Sequence, residues 1–201
     1  GISFGDNTSL AGVNECVLTG NSGYGVQMSQ ANVTVEHSII SGNSSGIYID
    51  TNFENPTVDT VRYNTITNNS NYGIRNSNYG RPVVQFNDLY DNGSYDFRNN
   101  SSVWSELDAR YNWWGQATTD SMDLGGNPKN IQKIYDFYDN SEYGFVNYGG
   151  YLPEPFDAPL GPVSLSIPLY EVIHGDTVLV AINTTIPTDT SFISAEIGIG
   201  G

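Results

Sequence analysis

Hydrophobic positions return in register along this chain. Four stretches align without gaps through nine positions: VNECVLTGN from Val13, VEHSIISGN from Val35, VRYNTITNN from Val61 and VQFNDLYDN from Val84. A fifth, ARYNWWGQA from Ala109, follows the pattern and then departs. The first column reads Val13, Val35, Val61, Val84, Ala109, and the sixth Leu18, Ile40, Ile66, Leu89, Trp114. Between them runs a polar fourth column, Cys16, Ser38, Asn64, Asn87, Asn112. The ninth holds Asn21, Asn43, Asn69 and Asn92. A second apolar block follows each stretch: GVQM at 25, GIYI at 46, GIRN at 73 and DFRN at 96. GISF at residue 1 matches it too.

A period of 22 to 26 residues is that of a solenoid repeat. Each unit has two short apolar stretches of strand length, parted by Asn, Ser and Gly turns. A helical repeat needs longer segments of 3.6 period, and β-branched residues would not dominate them. Stacked strands bring equivalent residues to about 4.8 Å. Val over Val then builds a core that no single coil could bury, and Asn over Asn builds a hydrogen-bonded ladder at the turns. The expectation is an all-β solenoid of about five coils.

The V…N.I…N…GI pattern and the YNWWG that follows it resemble the right-handed parallel β-helix family of secreted and surface proteins, the pectate-lyase-like superfamily. The resemblance covers residues 1 to about 151. It implies an extracellular or cell-surface location and a scaffold shared by lyases, hydrolases, adhesins and structural stalks.

Trp114 stands in the Leu/Ile column of the last coil, where a large side chain would close the core. The segment NPKNIQKIYDFYDN reads as a short capping helix, with Asn127 as N-cap, Pro128 in the first turn and Ile131, Ile134 and Tyr138 on one face. The expected organisation is a solenoid over 1–116, a cap and linker over 117–157, and a β-strand tail over 158–201. In the tail, VSLSIP, GDTVLVAINTT and SFISAEIGIGG read as strands resembling the start of an immunoglobulin-like or cohesin-like sandwich. Val178, Val180, Ile193, Ile197 and Ile199 are the candidate assembly residues. The chain also opens in mid-coil, so head-to-tail strand addition between copies is expected.

Charge narrows the partners. A formal net charge of −15 with only seven Lys and Arg disfavours nucleic acid and anionic membranes, which need clustered positive charge. No apolar run is long enough for membrane insertion by a helix. The single cysteine, Cys16, reads as a small buried residue.

Candidate chemistry is sparse, and no catalytic residue is assigned. The outward column Asn14, Glu36, Arg62, Gln85, Arg110 offers one Glu–Arg pair, a surface ion pair in the plain reading. Tyr48, Arg75 and Arg98 form another outward column that could grip a sugar acid, or simply hold solvated Arg beside Tyr. Facing carboxylates of the glycosidase kind are absent from the pattern. His37 and His174 lack neighbouring metal-ligand types. Asp136, Asp139 and Glu142 are the candidate Ca²⁺ ligands. Tyr63, Phe86 and Tyr111, with Trp113, are the candidate carbohydrate-stacking residues, the alternative being aromatics that shield a turn. Sequons occur at Asn7, Asn32, Asn43, Asn68, Asn92, Asn99, Asn100 and Asn183; Asn7, Asn32, Asn99 and Asn183 are the glycosylation candidates. The leading expectation is a structural stalk or filament subunit. The alternative is a module that binds or cleaves an extracellular polysaccharide.

Overall fold

The structure is a computed structural model that describes residues 1–5, 11–52, 58–102 and 106–156. It places the repeats on three main parallel sheets, with a further two-stranded one, Leu107–Asp108 beside Val146–Asn147. The first holds Ile2–Phe4, Tyr24–Ser29, Ser45–Thr51, Tyr72–Asn78, Tyr95–Ser101 and Ile134–Tyr135. The second holds Ala11–Asn14, Val33–Glu36, Thr60–Arg62 and Val83–Gln85, and the third Val17–Thr19, Ile39–Ser41, Thr65–Thr67 and Asp88–Tyr90. One strand from each sheet makes a coil, and coils pair in parallel.

The predicted columns are the pairing registers. Val13 lies opposite Val35, Val35 opposite Val61 and Val61 opposite Val84. Leu18, Ile40, Ile66 and Leu89 stack likewise. Val35, Val61, Val84, Ile40, Ile66 and Leu89 are fully buried, each burial contributing roughly 1.5–3 kcal/mol. From the first sheet, Val26, Ile47, Ile74 and Phe97 complete the interior.

Both Asn columns form ladders. Asn64 donates its backbone and side-chain N–H groups to Asn87 Oδ1, both at 3.0 Å, and Asn87 donates to Asn112 Oδ1 at 2.8 and 3.0 Å. The ninth column runs from Asn21 through Asn43 and Asn69 to Asn92 in the same manner. A third ladder, from Asn76 to Asn99 to the Gly144 carbonyl, lies inside the first sheet. The sequence pattern does not show it, because its upstream positions are apolar, Met28 and Ile49.

The ninth-column ladder explains the glycines of the second block. A Cβ on Gly25, Gly46 or Gly73 would meet the side-chain amide of Asn43, Asn69 or Asn92 at 3.0, 3.0 or 2.6 Å. At the last coil no further Asn arrives, and the block opens with Asp96. Its Oδ1 accepts both N–H groups of Asn92, at 3.0 and 2.9 Å, in the place of the missing amide.

Two expectations need correction. The solenoid has about four full coils, not five: the second and third sheets have four strands each. The fifth repeat adds no strand to those two sheets: Leu107–Asp108 pair instead with Val146–Asn147, and Trp113 meets Asp88 in an isolated bridge. After Trp114 the chain turns early at Gly115 (φ 79°) into the helix Gln116–Asp123. The helix expected over 127–140 does not form. Lys133 O instead accepts the Asp96 and Phe97 N–H groups, and Ile134 pairs with Phe97. Covering the open edge of Tyr95–Ser101 satisfies backbone groups that a helix there would leave unpaired. Asn127 ends a helix rather than starting one, its Nδ2 donating to Met122 O at 2.9 Å. Trp114 is 1% exposed and shares the core with Met122 and Ile131, as the hydrophobic column predicts.

The compact unit that holds the solenoid is Gly1–Gly161; Pro162–Gly201 form a second unit. The tail strands, with Val178, Val180, Ile193, Ile197, Ile199 and His174, lie outside the described residues, as do Asn7 and Asn183.

Candidate carbohydrate-binding faces

The corner between the second and third sheets sets one aromatic row. Each coil turns there through a residue of positive φ: Glu15 (53°), His37 (50°), Tyr63 (59°), Phe86 (55°) and Tyr111 (61°). This left-handed conformation costs a non-glycine residue about 1–2 kcal/mol, and the ladder residue that follows offsets it with its hydrogen bonds. Identical backbones aim the side chains in line. Ring centroids are 5.1 Å apart for His37–Tyr63, 5.7 Å for Tyr63–Phe86 and 5.3 Å for Phe86–Tyr111.

Phe156 comes back over this row. Leu152 N–H donates to Asn112 O, Phe156 N–H donates to Asp88 Oδ1 at 2.7 Å, and the Phe156 ring sits 5.1 Å from Tyr63 and 5.6 Å from Phe86. Tyr111 packs against Gly150, where a Cβ would come within 2.7 Å of its ring. Of the four predicted stacking residues, only Tyr63 and Trp113 therefore line a shared cleft, a space of about 420 Å³ on the third-sheet side. Phe86 and Tyr111 are held in the intramolecular stack. His37, Tyr90 and Phe156 join the cleft without having been singled out. His37 was legible as the third-column neighbour of Tyr63.

A second row crosses the outer face of the first sheet. Gln27, Tyr48, Arg75, Arg98 and Tyr135 are successive register partners. Tyr24 stacks on Tyr48 at 4.7 Å. The Arg75 guanidinium lies 5.5 Å from the Tyr48 ring and 6.0 Å from Tyr72, and that of Arg98 lies 5.1 Å from Tyr72 and 5.0 Å from Tyr135. The result is an alternating aromatic–cation row, half-exposed throughout. Arg98 donates to the Tyr72 hydroxyl and to Asn100, whereas Arg75 Nε is buried with no hydrogen-bond partner. Among the described residues neither arginine has a carboxylate within ion-pair distance, the two ion pairs being Arg62–Glu36 and Arg110–Asp108, each 2.9 Å. The tyrosines that precede the second blocks, Tyr24, Tyr72 and Tyr95, carried the signal for this row.

The remaining acids have structural work. Arg110 bonds to Asp108 and holds its carboxyl below the usual range. Burial pushes Asp96 up to about 6 against its hydrogen bonds from Asn92. Burial likewise raises Asp136, whose two oxygens accept the N–H groups of Tyr138 and Val146 at 3.0 and 2.9 Å. Asp139 Oδ2 accepts the Asp136 N–H, and Glu142 is exposed. Asp136, Asp139 and Glu142 thus shape a turn and do not fit a Ca²⁺ site; among the described residues no cluster of three potential metal ligands exists.

Of the described glycosylation candidates, Asn32 is exposed. Asn99 is 1% exposed and bonded to Gly144 O inside the coil, where a glycan has no room, so that expectation is corrected. Cys16 is half-buried, its Sγ 3.2 Å from Asn14 O, rather than buried.

A family model described as a right handed beta helix region matches residues 1–151. Compared with curated proteins and with solved structures, the chain matches none.

Proposed function

The chain belongs to the right-handed β-helix family, and on that footing we propose that it is an extracellular or cell-surface β-solenoid that binds an acidic polysaccharide along its first sheet. The supporting observation is the row Tyr48–Arg75–Tyr72–Arg98–Tyr135. Guanidinium groups with no carboxylate partner bind sugar carboxylates through paired hydrogen bonds. Tyrosine rings beside them take the apolar faces of pyranose rings. Arg75 and Arg98 sit one coil apart, about 4.8 Å, close enough to act on neighbouring units of one chain. The net charge of −15 opposes a polyanion at long range, but that repulsion fades beyond about 8 Å at physiological salt.

Binding rather than cleavage is the reading: Asp50, opposite Ser77 in the register, is engaged by Asn78, and no pair of facing carboxylates flanks the row among the described residues. The test is electrophoresis through gels containing alginate, polygalacturonate or a neutral glucan. Retardation by a polyuronate is expected, and its loss in the Arg75→Ala, Arg98→Ala double variant with an unchanged melting curve. A wild-type chain that migrates alike in all gels overturns the proposal.

A stalk or filament role draws on the three internal ladders, which stiffen the coil stack. In that reading, removing residues 163–201 abolishes assembly seen by light scattering and leaves the solenoid folded. An intact chain that stays monomeric at high concentration counts against it.

A further inference from the structure

The cleft on the third-sheet side is separate from the Tyr–Arg row and has the opposite character. Its floor is Ile39, Thr65 and Asp88, successive outward residues of the third sheet. One wall is Tyr90 and Trp113, rings 4.8 Å apart and inclined at 57°. The other is Tyr63 with Phe156, 5.1 Å apart. His37 stands exposed at its edge. Among the described residues no Lys or Arg lines it, and the one carboxylate, Asp88, is 4% exposed and holds the Phe156 N–H. Trp113 Nε1 is buried there without a hydrogen-bond partner.

We infer that this cleft is a second binding site, for one or two units of a neutral sugar chain, independent of the acidic-polysaccharide reading. A volume of about 420 Å³ lies in the range of small-ligand clefts, roughly 300–1,000 Å³. Facing aromatic walls suit a ring with apolar faces. Polar groups, the His37 imidazole at the edge and the Thr65 hydroxyl on the floor, suit equatorial hydroxyls. A charged sugar is disfavoured by the buried Asp88 carboxylate and the absence of a cationic lining group. Phe156 is part of the wall, so the segment that returns from the cap completes the site instead of merely covering the aromatic row.

The test follows the Trp113 indole N–H by NMR while cello-, xylo- or manno-oligosaccharides are added to the full chain, with oligo-alginate as the charged comparison. A saturable shift with a neutral oligosaccharide is expected. About tenfold weaker binding, read by calorimetry because the variant lacks the indole probe, is expected in Trp113→Ala. Thr65→Arg, at a half-exposed floor position, fills the cleft and should abolish binding, with an unchanged melting curve as the check on the fold. The Arg75→Ala, Arg98→Ala variant should bind neutral sugar unchanged, which separates this site from the first-sheet face. No shift with any of the neutral oligosaccharides, a shift with oligo-alginate alone, or binding that survives Thr65→Arg overturns the inference.

Discussion

Asn92 ends its ladder on a carboxylate: both its backbone and side-chain N–H groups converge on Asp96 Oδ1. Burial lifts Asp96 from 3.8 to about 6, with Lys133 lowering it and Asp91 raising it less strongly. A raised folded-state value means that the folded protein binds this proton more tightly than the unfolded chain. The stabilisation from protonation is full below about pH 3.8 and is lost as pH rises through about 6. Across that window the loss is on the order of 3 kcal/mol. Asp96→Asn keeps the acceptor and removes the titration. Its melting temperature should exceed the wild type above pH 6 and converge with it near pH 4. A constant difference across that range would show that Asp96 does not titrate there.

Asn87 is fully buried and joins five groups: it accepts from both Asn64 N–H groups and donates to Val61 O, Gln85 O and Asn112 Oδ1. Asn87→Ala leaves several of these unsatisfied at about 1–3 kcal/mol each, and a total loss of roughly 3–5 kcal/mol is expected in urea unfolding. A loss below about 1 kcal/mol would mean that water enters the ladder and replaces the amide.

The adjacent tryptophans should separate cleanly. Trp114→Ala should cost roughly 3–5 kcal/mol, since the ring is 1% exposed. Trp113→Ala removes a half-buried ring of the cleft wall and should cost much less. Equal losses in thermal unfolding would refute the assignment of core and cleft.

Glu36 and Arg62 form an ion pair whose side chains are 27% and 46% exposed. Glu36→Gln should change stability by less than about 1 kcal/mol, and by less still at high salt. A larger, salt-independent loss would point to a role beyond the ion pair.

The repeat made the solenoid legible because every coil poses the same steric problem. Val in the first column and Asn in the ninth recur since each packs on its own kind. The cap follows no such rule. Ile131, Ile134 and Tyr138 have helical spacing, yet the backbone of Tyr95–Ser101 required a strand partner, a demand set by three-dimensional position and invisible in the local pattern. The first-sheet row was half legible. Arg75 and Arg98 stood in one column with Tyr48, but the part of Tyr72 depends on a diagonal contact between neighbouring coils. For the cleft, Trp113 and Tyr63 were visible in sequence, whereas Phe156 reaches it only through a return path of the chain.

The ladders also divide the coil into unequal parts. It is 22 residues from Val13 to Val35, 26 to Val61, 23 to Val84 and 25 to Ala109, yet each segment from the Val column to the ninth-column Asn keeps one length. Nearly all the variation in length falls between the second apolar block and the next Val column, in sequence around residues 30–32, 52–59 and 79–82. An added residue at the fourth- or ninth-column corner would break the amide contacts on both neighbouring coils, while one added on the variable side, clear of Asp59 and Gly80, leaves those two ladders in place. The molecule therefore has a spine and a margin. A foreign peptide spliced into that margin would leave the stack intact, which makes it the place where this scaffold can be lengthened, tagged or taught a new specificity.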